Sequence, residues 1–264
     1  MQTDWKRTLR LAAWTWRMGL RGLLISCALA TVLEAGLLFW ADSQKANAGL
    51  NFNGLFLGTF CPLIFAAAYL AGAFCAQRSL AQPGQKSHIG YTLYMMNLPR
   101  WQLFLAQVLA GILSLWIVMA WQILLIFVLY LPVHVLHLAC AQQSLALPVS
   151  GAGSFWSVMA DNYLLRVLAP VSGKGFLVLA LLLIVPAAIV PGVFLHQGFR
   201  KFLAVCLMLT AAAVCMAMTA AYVIGLSGDE AQFPLTPLCA VLAGMTVLST
   251  GWSVYSMKHA EAIR

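Results

Sequence analysis

The chain has 264 residues, of which 62% are hydrophobic and only 8% charged, and its mean hydropathy is +0.89. A soluble domain carries about a quarter charged residues, so a water-soluble globule is excluded, and the density of apolar runs leaves no room for a sizeable soluble domain. A net charge of +8 would raise nucleic acid as a partner for a soluble protein, but here the basic residues flank apolar runs and topology accounts for them.

The first element is basic and amphipathic. At 100° per residue, Lys6, Arg10, Arg17 and Arg21 fall in a narrow arc joined by Arg7, while Trp5, Leu9, Trp16 and Leu20 gather on another side. This predicts an interfacial helix over residues 1–21, its cations toward lipid phosphates and its indoles at headgroup depth; an ordinary positive-inside anchor is the plainer alternative. The apolar run that follows, Gly22–Trp40, combines with the basic start and Ala46-Asn47-Ala48 to imitate a cleavable signal. It is longer than the usual apolar region of about 7–15 residues, so it is read as a retained span.

Five more runs are long enough to cross about 30 Å of hydrocarbon: Leu55–Ala76, Leu103–Leu131, Gly175–Leu195, Phe202–Ile224 and Leu238–Tyr255. The predicted fold is therefore all-α: a polytopic integral membrane protein with six transmembrane helices, residues 22–264 forming one membrane domain. Pro132–Lys174 holds no clear span; within it, the apolar residues of Phe155–Leu168 gather on no single face, leaving a short outer-face helix or a re-entrant piece open. Lys6, Arg7, Arg10, Arg17, Arg21, Arg78, Lys86, Arg100, Arg200, Lys201, Lys258 and Arg264 lie on one side, against Lys45, Arg166 and Lys174 on the other. Cytoplasmic segments carry the excess of Lys and Arg, which predicts both termini in the cytoplasm. Trp40, Trp101, Trp252 and Tyr255 near span ends read as interfacial anchors.

The connection between the second and third spans is the most informative stretch. Gly90-Tyr91-Thr92-Leu93-Tyr94-Met95-Met96-Asn97-Leu98-Pro99-Arg100-Trp101-Gln102-Leu103 is apolar up to a Pro-Arg corner, which predicts a short helix closed by Pro99, because the residue before proline is pushed out of the α region. The order of elements and this stretch resemble the permease subunits of ABC type 2 exporters, in which an interfacial elbow helix precedes six spans and the second cytoplasmic connection carries a coupling helix reading approximately T-L-x-x-L-P-x-[ST]-R. Thr92, Leu93, Leu98, Pro99 and Arg100 occupy comparable places, with Arg100 directly after Pro99 rather than two positions further on. The order of elements covers nearly the whole chain; the motif covers about ten residues.

The resemblance implies translocation of an amphiphilic substrate, such as an antimicrobial peptide, a drug-like molecule or a lipid, across the cytoplasmic membrane, including antimicrobial-peptide immunity. It implies a separate ABC ATPase subunit dimer holding ATP and Mg, docked at Thr92, Leu93, Met96, Leu98, Pro99 and Arg100, and a second permease subunit, identical or related. No cofactor is expected on this chain. It has no GxxxxGK[ST] loop to cradle phosphates, so it is not expected to be an enzyme.

Glu34 is the one acidic residue well inside a predicted span. A charge at the bilayer centre costs at least about 2.5 kcal/mol, so such a residue faces protein or water. It is a candidate translocation-pathway residue, a structurally satisfied protonated acid being the alternative. Pro186 and Pro191 interrupt the fourth span and each removes a backbone donor, as a gate or as a plain kink. Ala68, Gly72 and Ala76, and Ala213, Ala217 and Ala221, recur every fourth residue as packing seams, one of them a candidate subunit interface. His134, His137 and Cys140 share a helical face but lack a fourth ligand, so no metal site is expected. Cys27, Cys61, Cys75, Cys206, Cys215 and Cys239 lie inside apolar runs and form no CxxC pair, so no disulfide framework is expected. The main rival to a permease is a non-transporting membrane scaffold or accessory subunit. An intramembrane enzyme fares worse, because the spans lack paired acids, an HExxH motif or a Ser/His pair.

Overall fold

A computed structural model describes residues 5–44, 52–77, 99–143, 155–195, 199–226 and 235–259. Among the described residues the fold is all-helical: α1 (Trp5–Asp42), α2 (Phe52–Gly58), α3 (Cys61–Ala76), α4 (Arg100–Gln143), α5 (Phe155–Ala160), α6 (Tyr163–Leu168), α7 (Gly173–Leu195), α8 (Phe199–Leu226) and α9 (Leu235–His259). Five of these are long and apolar enough to cross a membrane, six if the bent pair α2–α3 is one span. Large apolar side chains such as Ile25, Val32, Trp116, Val247 and Leu248 point outward, which is compatible with a multi-pass membrane protein whose sides meet lipid rather than water.

The long helices form two lobes of three. α1, α3 and α4 pack on one another, as do α7, α8 and α9, and the lobes meet chiefly along α4 and α7. Within the first lobe α1 and α4 run parallel. Leu11 and Ala12 pack on Leu103 and Ala106 at the end where both helices begin, here the basal end, while Leu38 packs with Leu125, Ile126 and Leu129 at the distal end. α3 returns between them: Leu23, Cys27 and Ala30 of α1 enclose Ala68 of α3 together with Val118 of α4.

Small residues set how closely these helices approach. A Cβ on Gly19 would lie 2.5 Å from the carbonyl oxygen of Cys75, and one on Gly72 would lie 2.9 Å from Val118 Cγ2. The α3 stripe of Ala68, Gly72 and Ala76 is therefore spent inside the first lobe. Ala213 and Ala217 on α8, by contrast, are exposed. At the junction of the lobes Ala73, Leu115, Met119, Leu183, Ala187 and Val190 form a shared core, and the second lobe closes around Val178, Val185, Ile189, Ala211, Met218 and Leu242.

The structure departs from the sequence expectations in four places. No break separates an interfacial helix at residues 1–21 from the first span: α1 is one helix of 38 residues, about 57 Å long, well beyond the roughly 30 Å of hydrocarbon. One buried stripe, Thr8, Leu11, Ala12, Thr15, Gly19, Leu23, Cys27, Ala30, Glu34 and Leu38, continues along it. With α4 offering a partner for the first turns, nothing in the local sequence ends the helix. Lys6, Arg10, Arg17 and Arg21 are exposed, but so are Trp5 and Leu9, and the docked face is the Thr8–Ala12–Thr15–Gly19 face rather than the indole face.

Second, the span expected to run unbroken over Leu55–Ala76 bends by 61° between α2 and α3. Thr59 ends α2 by directing both its N–H and its hydroxyl to the Leu55 carbonyl. Phe60 then takes the left-handed conformation (φ 58°) and Pro62 falls in the first turn of α3, where its missing donor is not needed. Third, Pro186 and Pro191, open to reading as a gate or as a plain kink, do not end the helix, for α7 runs through both. Fourth, the Pro132–Lys174 stretch is largely helical among its described residues. α4 continues through Pro132 to Gln143, because that proline sits on an exposed face, and α5 and α6 follow after the undescribed residues 144–154.

Candidate functional site

The buried stripe of α1 carries one acid into the first lobe. Glu34 is 0% exposed, and its Oε2 accepts a hydrogen bond of 2.8 Å from Gln122 Nε2 on α4. One turn toward the basal end, the Trp121 indole N–H donates to Thr31 Oγ1 at 2.9 Å, and that hydroxyl donates in turn to the Cys27 carbonyl at 2.8 Å. Two consecutive α4 residues thus reach two α1 residues three apart, a polar ladder that fixes the parallel register of the two helices. Glu34 Oε1 is buried with no hydrogen-bond partner among the described residues.

The surroundings are otherwise apolar. On the distal side stand Leu38, Cys61, Leu125 and Ile126; on the basal side stand Ala30, Ile64, Phe65 and Val118. The start of α3 lies close by, since Cys61 packs in one cluster with Leu38, Leu125 and Ile126, and Cys61 Sγ is 3.1 Å from Thr59 Oγ1 at the bend. The buried acid and the bent span therefore belong to one neighbourhood.

Two further polar clusters close the ends of the lobe. Distally, Asn53 of α2 donates to the Val158 carbonyl at 3.0 Å and accepts from Asn162 Nδ2 at 2.9 Å, while Asn162 Oδ1 caps α6 by accepting from Leu165 N–H. Phe52 lies edge-on to Tyr130 with centroids 5.4 Å apart, so α2, α5 and α6 lie across the ends of α1 and α4. Basally, Gln77 at the end of α3 donates to the Gln107 carbonyl at 3.1 Å, and Gln77, Gln102 and Gln107 are all buried. Trp16 Nε1 and Gln77 Oε1 at that end are buried without a hydrogen-bond partner among the described residues. Of these side chains only Trp16 stood out in the sequence, because Asn and Gln carry no periodic signal and the partners of Asn53 and Gln77 are 30 to 109 residues away.

The residues singled out earlier are not gathered in one place. Glu34 lies in the α1–α4 seam, whereas Pro186 and Pro191 lie on α7, half-buried and buried respectively, and α7 does not pack along α1. A third point, Ala187, follows Pro186 and touches Gly111 of α4, whose added Cβ would meet it at 3.1 Å. Tyr69 of α3 donates to the Leu182 carbonyl, four residues before Pro186, so α3 also reaches α7. Of the coupling residues, Thr92, Leu93, Met96 and Leu98 fall outside the described residues. Pro99 stands immediately before α4 with its carbonyl accepting from Gln102 N–H at 2.9 Å, and Arg100 opens the helix. His134, His137 and Cys140 lie on α4, their side chains outside those described; among the described residues no group of three His, Cys, Asp or Glu side chains could hold a metal.

No family model matches the chain, and no curated protein or solved structure matches it. The class that the fold supports is an all-helical bundle with five membrane-length helices, organised as two three-helix lobes, the first of which encloses Glu34.

Proposed function

We propose that this chain is the membrane-spanning permease subunit of an ATP-driven exporter of the ABC type 2 kind. It moves an amphiphilic substrate across the cytoplasmic membrane, with ATP hydrolysed on a separate ATP-binding dimer. The observation that carries this reading is the division into two three-helix lobes that meet along one seam, α4 against α7. Two groups of helices sharing one seam can rock against each other, which is what alternating access requires of a permease. The connection at residues 78–98 joins two helices of the same lobe, α3 and α4, at the basal end, where a push is transmitted to a whole lobe rather than to one helix.

Counting α2–α3 as one bent span gives six crossings, and the excess of Lys and Arg places the basal end in the cytoplasm. The basal part of α1, with Lys6, Arg10, Arg17 and Arg21 exposed, then lies where anionic headgroups and the ATPase meet. The α3 small-residue stripe is used within the lobe, so the exposed Ala213–Ala217 face of α8 is the seam left for a second permease subunit.

The test is purification with an ATPase that carries a P-loop, followed by substitution in the connection. Leu93→Asp or Met96→Asp is expected to abolish permease-stimulated ATP turnover while the bundle still assembles. Unchanged turnover and unchanged assembly would sink the permease reading in favour of a non-transporting scaffold.

A further inference from the structure

The first lobe holds an acid that has no counter-charge beside it among the described residues. Glu34 is completely buried, one carboxyl oxygen accepts from Gln122, and the other, Oε1, meets no hydrogen-bonding group among the described residues. The sequence explains why no cation answers it: there is no Lys, Arg or His in α1 between Gly22 and Asp42, in α2, in α3, or in α4 between Trp101 and Val133. Within those stretches the titratable groups besides Glu34 are Cys27 and Asp42 on α1, Cys61, Tyr69 and Cys75 on α3, and Tyr130 on α4; α2 contributes none. None of these supplies a positive charge.

An ionised carboxylate with one hydrogen bond in such a seam would be a bare buried charge, the costliest arrangement available to a side chain inside a membrane. A metal ion does not fit as the missing partner, since Glu34 and one amide fall far short of the six or more oxygens a hard cation takes and no cluster of three ligating side chains is present among the described residues. A proton needs neither volume nor further ligands. In a neutral carboxyl Oε2 accepts from Gln122 as the carbonyl oxygen, and the hydrogen would sit on Oε1.

We propose that Glu34 is a proton-binding site of the first lobe, its proton held for as long as α1 and α4 pack over it. The seam is closed by Leu38 against Leu125 and Ile126 as well as by the Thr31–Trp121 and Glu34–Gln122 hydrogen bonds, and the left-handed turn at Phe60 next to Cys61 interrupts the enclosing helix nearby. This inference rests on the helical bundle alone and does not require the permease reading.

Infrared spectroscopy of the full chain in lipid nanodiscs tests it directly. Glutamate labelled with 13C at its side-chain carboxyl shifts only Glu34, Glu230 and Glu261, the three glutamates of the chain. The double variant Glu230→Gln/Glu261→Gln leaves Glu34 as the sole reporter without touching a span. At about pH 7 more than half of the labelled signal is expected in the protonated-carboxyl C=O band, converting reversibly to carboxylate only at higher pH, and Glu34→Gln is expected to remove it. A signal more than half carboxylate at that pH, titrating near the value of about 4.3 of a solvated glutamate, would overturn the proposal. Should the double variant not assemble, the difference between the labelled wild type and Glu34→Gln gives the same two outcomes.

Discussion

The two lobes solve the same packing problem with different chemistry. In the first, Thr8, Thr15, Glu34, Gln77, Gln102, Gln107, Ser114 and Gln122 are buried among the apolar side chains; in the second, the buried polar side chains on α7–α9, among those described, are Ser249 and Ser253. The first lobe also has glycines pressed against a facing backbone, while the described glycines of α9, Gly244 and Gly251, meet nothing within 4 Å. In hydrocarbon an apolar helix gains little by choosing one apolar neighbour over lipid, so polar contacts and close small-residue approaches are what set a unique register. The first lobe is therefore a fixed body with its register written in side-chain hydrogen bonds. The second is held by dispersion between Leu, Val, Ile and Met, and by one weak sulfur contact of 3.7 Å from Cys239 to Met218.

That contrast breaks first at Gly19. A Cβ there would sit 2.5 Å from the Cys75 carbonyl oxygen and 3.3 Å from Ala76 Cα, both backbone atoms that cannot rotate away. Gly19→Val is expected to force α1 off α3 and to cost about 3 kcal/mol, at the upper end of overpacking penalties, read from reversible unfolding in mixed micelles. Gly251→Val on α9, with open space around it, is the matched control and is expected to be near neutral. Equal losses at the two sites would contradict the idea that only the first lobe is rigidly registered.

The next effect is on the Glu34–Gln122 bond. Gln122→Leu strips the acid of its donor and is expected to cost about 2 kcal/mol, because a buried polar group left alone loses more than the bond itself was worth. Adding Glu34→Leu removes the stranded group and is expected to recover most of that loss. A double variant as unstable as the sum of the two singles would show that the residues act independently.

Much of this contrast was hidden in the sequence, and for identifiable reasons. The long helices were legible because apolar runs of span length have few alternatives, and Glu34 stood out as the one acid among them. Its partner did not, for nothing local marks Gln122 as the residue that lies 88 positions away across a parallel seam. The prolines misled in both directions. Pro186 and Pro191 sit inside a continuous α7, packed on both sides by Val185, Ala187, Ile189 and Val190, whereas Pro62, in a run that reads as unbroken, marks the start of α3 because Thr59 and Phe60 have already ended α2. Hydropathy counts residues and is blind to where a backbone turns. The apolar residues of Phe155–Leu168 gathered on no single face because the stretch is two short helices with a break at Asp161–Asn162, so one helical period does not run through it.

The bend offers a smaller, stabilising test. Phe60 is 66% exposed and held at φ 58°, a conformation that side-chain-bearing residues adopt at a cost and glycine adopts freely. Phe60→Gly loses little packing and is expected to gain about 1 kcal/mol in the same unfolding measurement. Destabilisation instead would mean that the ring, not the turn, holds α2 against α3.

The smallest effect belongs to the second lobe. Cys239 Sγ faces Met218 Sδ at 3.7 Å, and Met218 is fully buried beside Leu242 and Ala211. Cys239→Ala removes the lobe's one sulfur contact and a single atom of volume. With neighbours that can slide along α8, it is expected to change stability by no more than about 0.5 kcal/mol. The value matters through its ratio to Gln122→Leu. If deleting the sulfur contact destabilised the protein as much as deleting the amide, the second lobe would hold a register of its own as strictly as the first. The α4–α7 seam would then join two equally rigid bodies, instead of a fixed lobe and an adaptable one.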